Sequence, residues 1–97
     1  MQYEVLFKAP ARNFLKKLKD KKLKNIFLDA VHRLADGEII GEMKKGDLAG
    51  IFSYNIFYKK VNYELAYTRH ELGNKIVIVI SAGTRENFYK ELKRYLK

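Results

Sequence analysis

Ninety-seven residues with a net charge of +9 and a pI near 9.8 form a chain long enough for one core, and its partner must be acidic. The 47 % apolar content, with six Phe and seven Tyr, excludes a disordered basic tail, and the lack of Cys excludes a disulfide framework or a thiolate metal site. No apolar run approaches the roughly 18 residues that cross a bilayer, and Met1 leads directly into an alternating segment, so residues 1–97 are expected to form a single cytoplasmic domain with no membrane partner.

In chain order, Tyr3, Val5 and Phe7 alternate with polar neighbours at the period of a strand. Pro10 stops the ladder and suits the first turn of a helix, which predicts a helix over Ala9 to Lys19 with Ala11, Phe14, Leu15 and Leu18 turned inward. Asp20 opens a tight connection, after which Leu23, Ile26, Phe27, Ala30, Val31 and Leu34 trace the clearest helical stripe in the chain. The two helices are expected to form an antiparallel hairpin.

Four glycines punctuate Ala35 to Gly50, which therefore reads mostly as loop. Ile51 to Tyr58 and Tyr63 to His70 are rich in Tyr, Phe and Ile and read as a hairpin turning through Lys59-Lys60-Val61-Asn62. Ile76-Val-Ile-Val-Ile80 is an unbroken β-branched run, expected to be an interior strand covered on both faces. If the last three strands form a meander, the N-terminal strand must cover the free side of that run. The small residues Ser81-Ala82-Gly83 then turn the chain into a basic C-terminal helix. The fold class is α+β: a four-stranded, mainly antiparallel sheet with an N-terminal helical hairpin and a C-terminal helix, in the order β-α-α-β-β-β-α.

Arg85 and Tyr89 lie one helical turn apart at the start of that last helix, where unpaired N–H groups already favour an anion. Such a pair suits a phosphodiester. The segment from Lys8 to Arg33 carries nine Lys and Arg against Asp20 and Asp29, a concentration suited to a nucleic-acid backbone. His32 and His70 lack acidic or Cys partners at ligand spacing, so no metal is expected; without a serine elbow, a dinucleotide-binding glycine motif or a Walker loop, no cofactor is expected either.

The order of elements and three motifs, Lys44-Lys45-Gly46-Asp47-Leu48-Ala49-Gly50, Tyr63-Glu64-Leu65-Ala66-Tyr67 and Ser81-Ala82-Gly83-Thr84-Arg85-Glu86-Asn87-Phe88-Tyr89, resemble the RelE/ParE toxins of bacterial type II toxin–antitoxin modules. The resemblance covers essentially the whole chain. It implies a RelE-like fold and a toxin neutralised by a cognate antitoxin protein. It further implies a ribosome-dependent endoribonuclease that cleaves messenger RNA and inhibits translation, or, as in the ParE branch, an inhibitor of DNA gyrase that cuts nothing. A non-catalytic RNA- or DNA-binding module is the third reading.

RNA cleavage requires a deprotonated 2′-OH, a held phosphorane charge and a stabilised leaving oxygen. Arg85 suits the charge, Tyr89 the position beside the scissile step, and Lys45 completes the catalytic expectation. Lys44, Lys17, Lys21, Lys24, Arg69 and His70 are the expected RNA-binding residues. Where RelE-type enzymes carry strand lysines and an arginine, this chain has Tyr54, Asn55 and Glu64 nearby.

Overall fold

Apolar residues two apart in the strands, Val5 and Phe7 or Val77 and Val79, fall on one face of a five-stranded sheet in the computed structural model, which describes residues 3–46, 49–71, 73–85, 90 and 94. The elements run β1 (Glu4–Phe7), α1 (Ala9–Lys17), α2 (Lys21–Asp36), β2 (Glu42–Met43), β3 (Phe52–Tyr58), β4 (Val61–His70) and β5 (Ile76–Thr84), with sheet order β1-β5-β4-β3-β2. As expected, β5 is interior, with β1 parallel on one side and β4 antiparallel on the other. The α+β class holds, but the sheet is mixed and has five strands rather than four mainly antiparallel ones. The additional strand is short: Glu42 and Met43 pair with Ser53 and Phe52 inside the segment expected to be loop.

Each helix has a local cause. Pro10 lies in the first turn of α1, and Leu18 ends it two residues earlier than expected by going extended, at φ −68° and ψ 118°. Asp20 then caps α2, its carboxylate accepting from the Leu23 N–H at 3.1 Å, and Gly37 closes the helix in the left-handed conformation at φ 79°. The expected tight helical hairpin is absent. Leu18 to Asp20 form an extended connector, α1 lies over β5 and α2 packs on β5 and β1, while Phe14 and Phe27 join the helices edge to face at 5.4 Å.

The core fills the space between helices and sheet: Leu15, Phe27, Leu34, Leu65, Tyr67, Val77 and Val79 are buried there. Val77 and Val79 are fully buried, but Ile76 and Ile78 are half-buried, so β5 is not covered equally on its two faces among the described residues. The smaller cluster of Ile51, Ala66 and Ile80 lies on the other side. The β3–β4 turn is shorter than expected, with Lys59 (φ 47°) and Lys60 (φ 65°) as its two left-handed residues.

The expected turn at Ser81-Ala82-Gly83 is strand instead. β5 continues to Thr84 because Ser81 to Thr84 pair with Ala66 to Tyr63 on β4. Arg85, Lys90 and Arg94 are helical, and the remainder of the expected C-terminal helix, including Phe88, Tyr89, Leu92 and Tyr95, lies outside the described residues. Among the described residues no helix is long and apolar enough to cross a membrane.

Candidate functional site

A bulge in β5 decides which side chains meet. Ala66 pairs with Ser81 and Tyr67 with Val79, leaving Ile80 as the extra residue. Before the bulge, odd-numbered Val77 and Val79 face the helices; after it, even-numbered Ala82 packs into that same core. The inversion puts Gly83 opposite Glu64 on the open face of the sheet and carries Arg85, two residues on, to the same side.

There Arg85 Nε lies 3.8 Å from Glu64 Oε1, with the Glu64 side chain 6 % exposed and the Arg85 side chain 63 % exposed. On the neighbouring strand Asn55 is the cross-strand partner of Glu64; its Nδ2 donates to the Tyr63 carbonyl at 3.1 Å and approaches Glu64 Oε1 at 3.5 Å. Burying a carboxylate costs several kcal/mol unless close partners offset it, and these contacts are long. A buried carboxylate beside an exposed arginine at an open cleft is an arrangement able to hold or move charge during a reaction.

The pair opens into a cleft of about 420 Å³ lined by Ile40, Gly41, Glu42, Lys44, Ser53, Tyr54, Asn55, Glu64 and Arg85. Gly41 is required at its rim. A Cβ there would lie 2.2 Å from the Ser53 carbonyl oxygen, and the Gly41 N–H donates to the Tyr67 hydroxyl at 2.7 Å. Burial pushes the Tyr67 phenol up, against the smaller downward pulls of the Gly41 N–H and the Arg69 charge, so it stays protonated at neutral pH and serves the rim as an uncharged acceptor.

The expected site residues are distributed unevenly around this cleft. Lys44 lines it and Lys45 is exposed on the loop beyond it. Lys17 lines a second groove with Phe14, Ala82, Gly83 and Thr84, next to Arg85, while Lys21 is exposed and Lys24 half-buried on α2. Arg69 and His70 sit at the other end of β4. There Arg69 lies 4.9 Å over the Tyr3 ring, donates to the Tyr3 hydroxyl at 3.0 Å and pairs with Glu71 at 3.7 Å; His70 Nε2 is 3.0 Å from Thr68 Oγ1. Tyr89, Asp47 and Leu48 lie outside the described residues. Among the described residues no cluster of three or more His, Asp or Glu could hold a metal ion.

The profile of one protein family, described as the ParE-like toxin of type II bacterial toxin–antitoxin systems, matches residues 5–93. The chain belongs to this ParE-like toxin family. The ParE-like chain is similar in fold to a double mutant of the Escherichia coli toxin RelE in its free state, at 19 % identity and TM-score 0.72, over 97 % of this chain and 93 % of that one. It is also similar to the RelBE2 toxin–antitoxin complex of Mycobacterium tuberculosis, at 26 % identity and TM-score 0.57, over 88 % of this chain and 100 % of that one. The intact RelBE toxin–antitoxin complex of E. coli is similar at 22 % identity and TM-score 0.59, over 84 % and 94 % of the two chains. No curated protein matches it in sequence.

Two residues of this ParE-like toxin's open face carry more than sequence reasoning assigns them. Glu64 enters there only as a departure from the RelE pattern, although a lone acid between Tyr63 and Leu65 in an inner strand is itself a signal. Phe57 is not singled out at all. Its signal is positional: it occupies the polar parity of β3, following Ser53 and Asn55.

Proposed function

We propose that this chain is the toxin of a type II module and cleaves messenger RNA on the ribosome by metal-independent acid–base chemistry, with a cognate antitoxin as its neutralising partner. The observation that carries this reading is the Glu64–Arg85 pair: a buried carboxylate facing an exposed guanidinium across 3.8 Å at the floor of an open cleft on a chain of charge +9. A protein acting by surface contact alone has no need of a desolvated carboxylate there.

In this mechanism Glu64 takes the proton of the 2′-OH, the 2′-oxygen attacks phosphorus, and the P–O5′ bond breaks to leave a 2′,3′-cyclic phosphate. The leaving 5′-oxygen takes a proton from water. Arg85 engages Glu64 through Nε and grips the non-bridging oxygens with the rest of its planar fork. Lys44 adds positive charge from the cleft wall, Lys45 from the loop, and Tyr89 stacks beside the scissile step. Lys17, Lys21 and Lys24 hold ribosomal RNA backbone. The ribosome supplies substrate orientation, which can lower a barrier by several kcal/mol.

Toeprinting of a programmed ribosome tests the reading. The purified chain should create new stops at A-site codons, and Arg85→Ala should abolish them. No new stop, together with loss of gyrase supercoiling in the same extract, would assign the chain to gyrase inhibition. A short acidic reading frame beside the gene should encode the antitoxin, and the product should bind the toxin when both are expressed.

A further inference from the structure

Phe57 is 65 % exposed, the one aromatic among the large exposed apolar residues described, and it lies on the same face of the sheet as the proposed catalytic pair. Its neighbours Ile56 and Tyr58 take the core side of β3, so strand parity leaves Phe57 pointing away from the core with Ser53 and Asn55. Register then defines a row. Phe57 is opposite Asn62, and because Tyr63 is opposite Thr84, Asn62 lies beside Arg85. Two strand spacings, about 10 Å, separate Phe57 from the arginine. Beside that row lies a further open cleft of about 420 Å³, lined by Lys60, Val61, Asn62, Thr84 and Arg85.

We propose that Phe57 is a stacking platform for an unpaired nucleobase of the RNA, one nucleotide away from the phosphate held by Arg85, with Asn62 reading the base edge and Lys60 its phosphate. The proposal rests on the RNA reading above and adds a subsite to it. Charge complementarity favours RNA over an apolar protein surface: Lys60 and Arg85 line the adjacent cleft, and Asn62, the cross-strand neighbour of Phe57, offers an amide rather than an apolar contact. Bases stack on exposed aromatic rings with little sequence preference.

The platform is also held in place before any ligand arrives. Lys59 and Lys60 both adopt left-handed backbone, the conformation of a two-residue hairpin turn that other side chains adopt less easily than Gly or Asn. The turn is tied down where Lys59 Nζ lies 3.7 Å from Asp20 and Tyr58 donates to the same carboxylate at 3.0 Å. A strand end whose backbone is fixed beforehand loses little freedom on binding.

The chain contains no Trp, so Phe57→Trp places a single fluorescent reporter in the proposed subsite. Titration with an uncleavable 2′-O-methyl single-stranded oligoribonucleotide should quench that fluorescence. Anisotropy of the labelled oligonucleotide should show Phe57→Ala and Phe57→Leu binding roughly 5- to 100-fold more weakly than wild type, and Phe57→Trp binding at least as well. Circular dichroism on all three variants separates lost binding from lost fold. Binding without quenching, or Phe57→Leu equal to wild type, overturns the stacking platform and leaves the RNA reading intact. No binding of the oligonucleotide by wild type, neither free nor on the ribosome, overturns both. A blue shift on adding the antitoxin with no quenching by RNA would make the ring a protein contact and overturn the proposal.

Discussion

At the scale of single residues, the proposed mechanism gives Glu64 and Arg85 two tasks that one cationic side chain cannot perform together. A proton acceptor must be ionised and close to the 2′-OH, and a charge clamp must stay cationic throughout. Glu64→Gln keeps the shape and its amide still fits beside Asn55, so the fold should persist while cleavage falls by roughly 10²–10⁴. Single-turnover cleavage on the ribosome, with circular dichroism on the same variant, separates chemistry from packing, and unchanged cleavage in Glu64→Gln would return Glu64 to a purely structural role. Arg85→Ala should lose roughly 10²–10³ in rate and abolish growth arrest with circular dichroism unchanged, and Arg85→Lys should recover little, because a point charge does not reproduce the planar fork. Gly41 tests the frame around them. Because a methyl group on its Cα would sit 2.2 Å from the Ser53 carbonyl oxygen, Gly41→Ala must displace backbone, at a cost of about 1–3 kcal/mol. For a domain of this size that is a drop in Tm of roughly 4–8 °C per kcal/mol, read by thermal melting.

At the scale of elements, two local devices set the site. The bulge at Ile80 inverts the parity of β5 and so decides that Arg85 meets Glu64 rather than the helices. Deleting Ile80 should restore unbroken alternation and turn either Arg85 or the Val77–Val79 face the wrong way; the expected outcome is loss of cleavage even in variants that remain folded by circular dichroism. Asp20 is the other device, capping α2 and holding the β3–β4 turn through Tyr58 and Lys59. The Leu23 backbone N–H is the main cause that draws its carboxyl below the ordinary value of 3.8, with Tyr58 and Lys59 adding to it against a smaller opposing effect of burial. A depressed carboxyl contributes stability that is complete above that ordinary value and disappears as pH falls through the lowered one. Wild type should therefore lose Tm below about pH 4 more steeply than Asp20→Asn, and equal slopes would remove the charge from the account. Much of this layer was legible in the sequence: the helical stripe from Leu23 to Leu34 and the interior strand at Ile76–Ile80 follow from periodicity, and the N-terminal strand beside the latter follows by elimination once the last three strands form a meander. The bulge was not, because Ile80-Ser81-Ala82 continues a plausible strand or turn and only pairing with Ala66 and Tyr67 shows the extra residue. Nor was β2, since two residues between glycines carry no alternation and form a strand only because Phe52 and Ser53 are there to pair with them.

At the scale of the whole molecule, the positive charge is spread over more surface than one cleft can use. Arg69, expected among the RNA ligands, is held between Tyr3 and Glu71 at the far end of the sheet, a placement that depends on a partner 66 residues away in sequence, with no pattern to announce it. Lys17 stands beside the Arg85 end of β5 and Lys21 and Lys24 follow on α2, so these three form the part of the basic segment best placed to extend the cleft toward a large anionic surface. Backbone contacts of this kind position without specifying, and each one releases counterions on binding. Replacing Lys17, Lys21 and Lys24 with Gln should therefore weaken ribosome binding and reduce the slope of log affinity against log salt by up to about 2–3, at roughly 0.7–0.9 for each phosphate no longer neutralised. Codon preference in toeprints should not change, since contacts to the backbone do not read bases. Binding measured from low to moderate salt on wild type and the triple variant checks this. An unaltered slope would mean that the three lysines only solvate the surface, whereas a changed codon preference would move them from positioning into recognition.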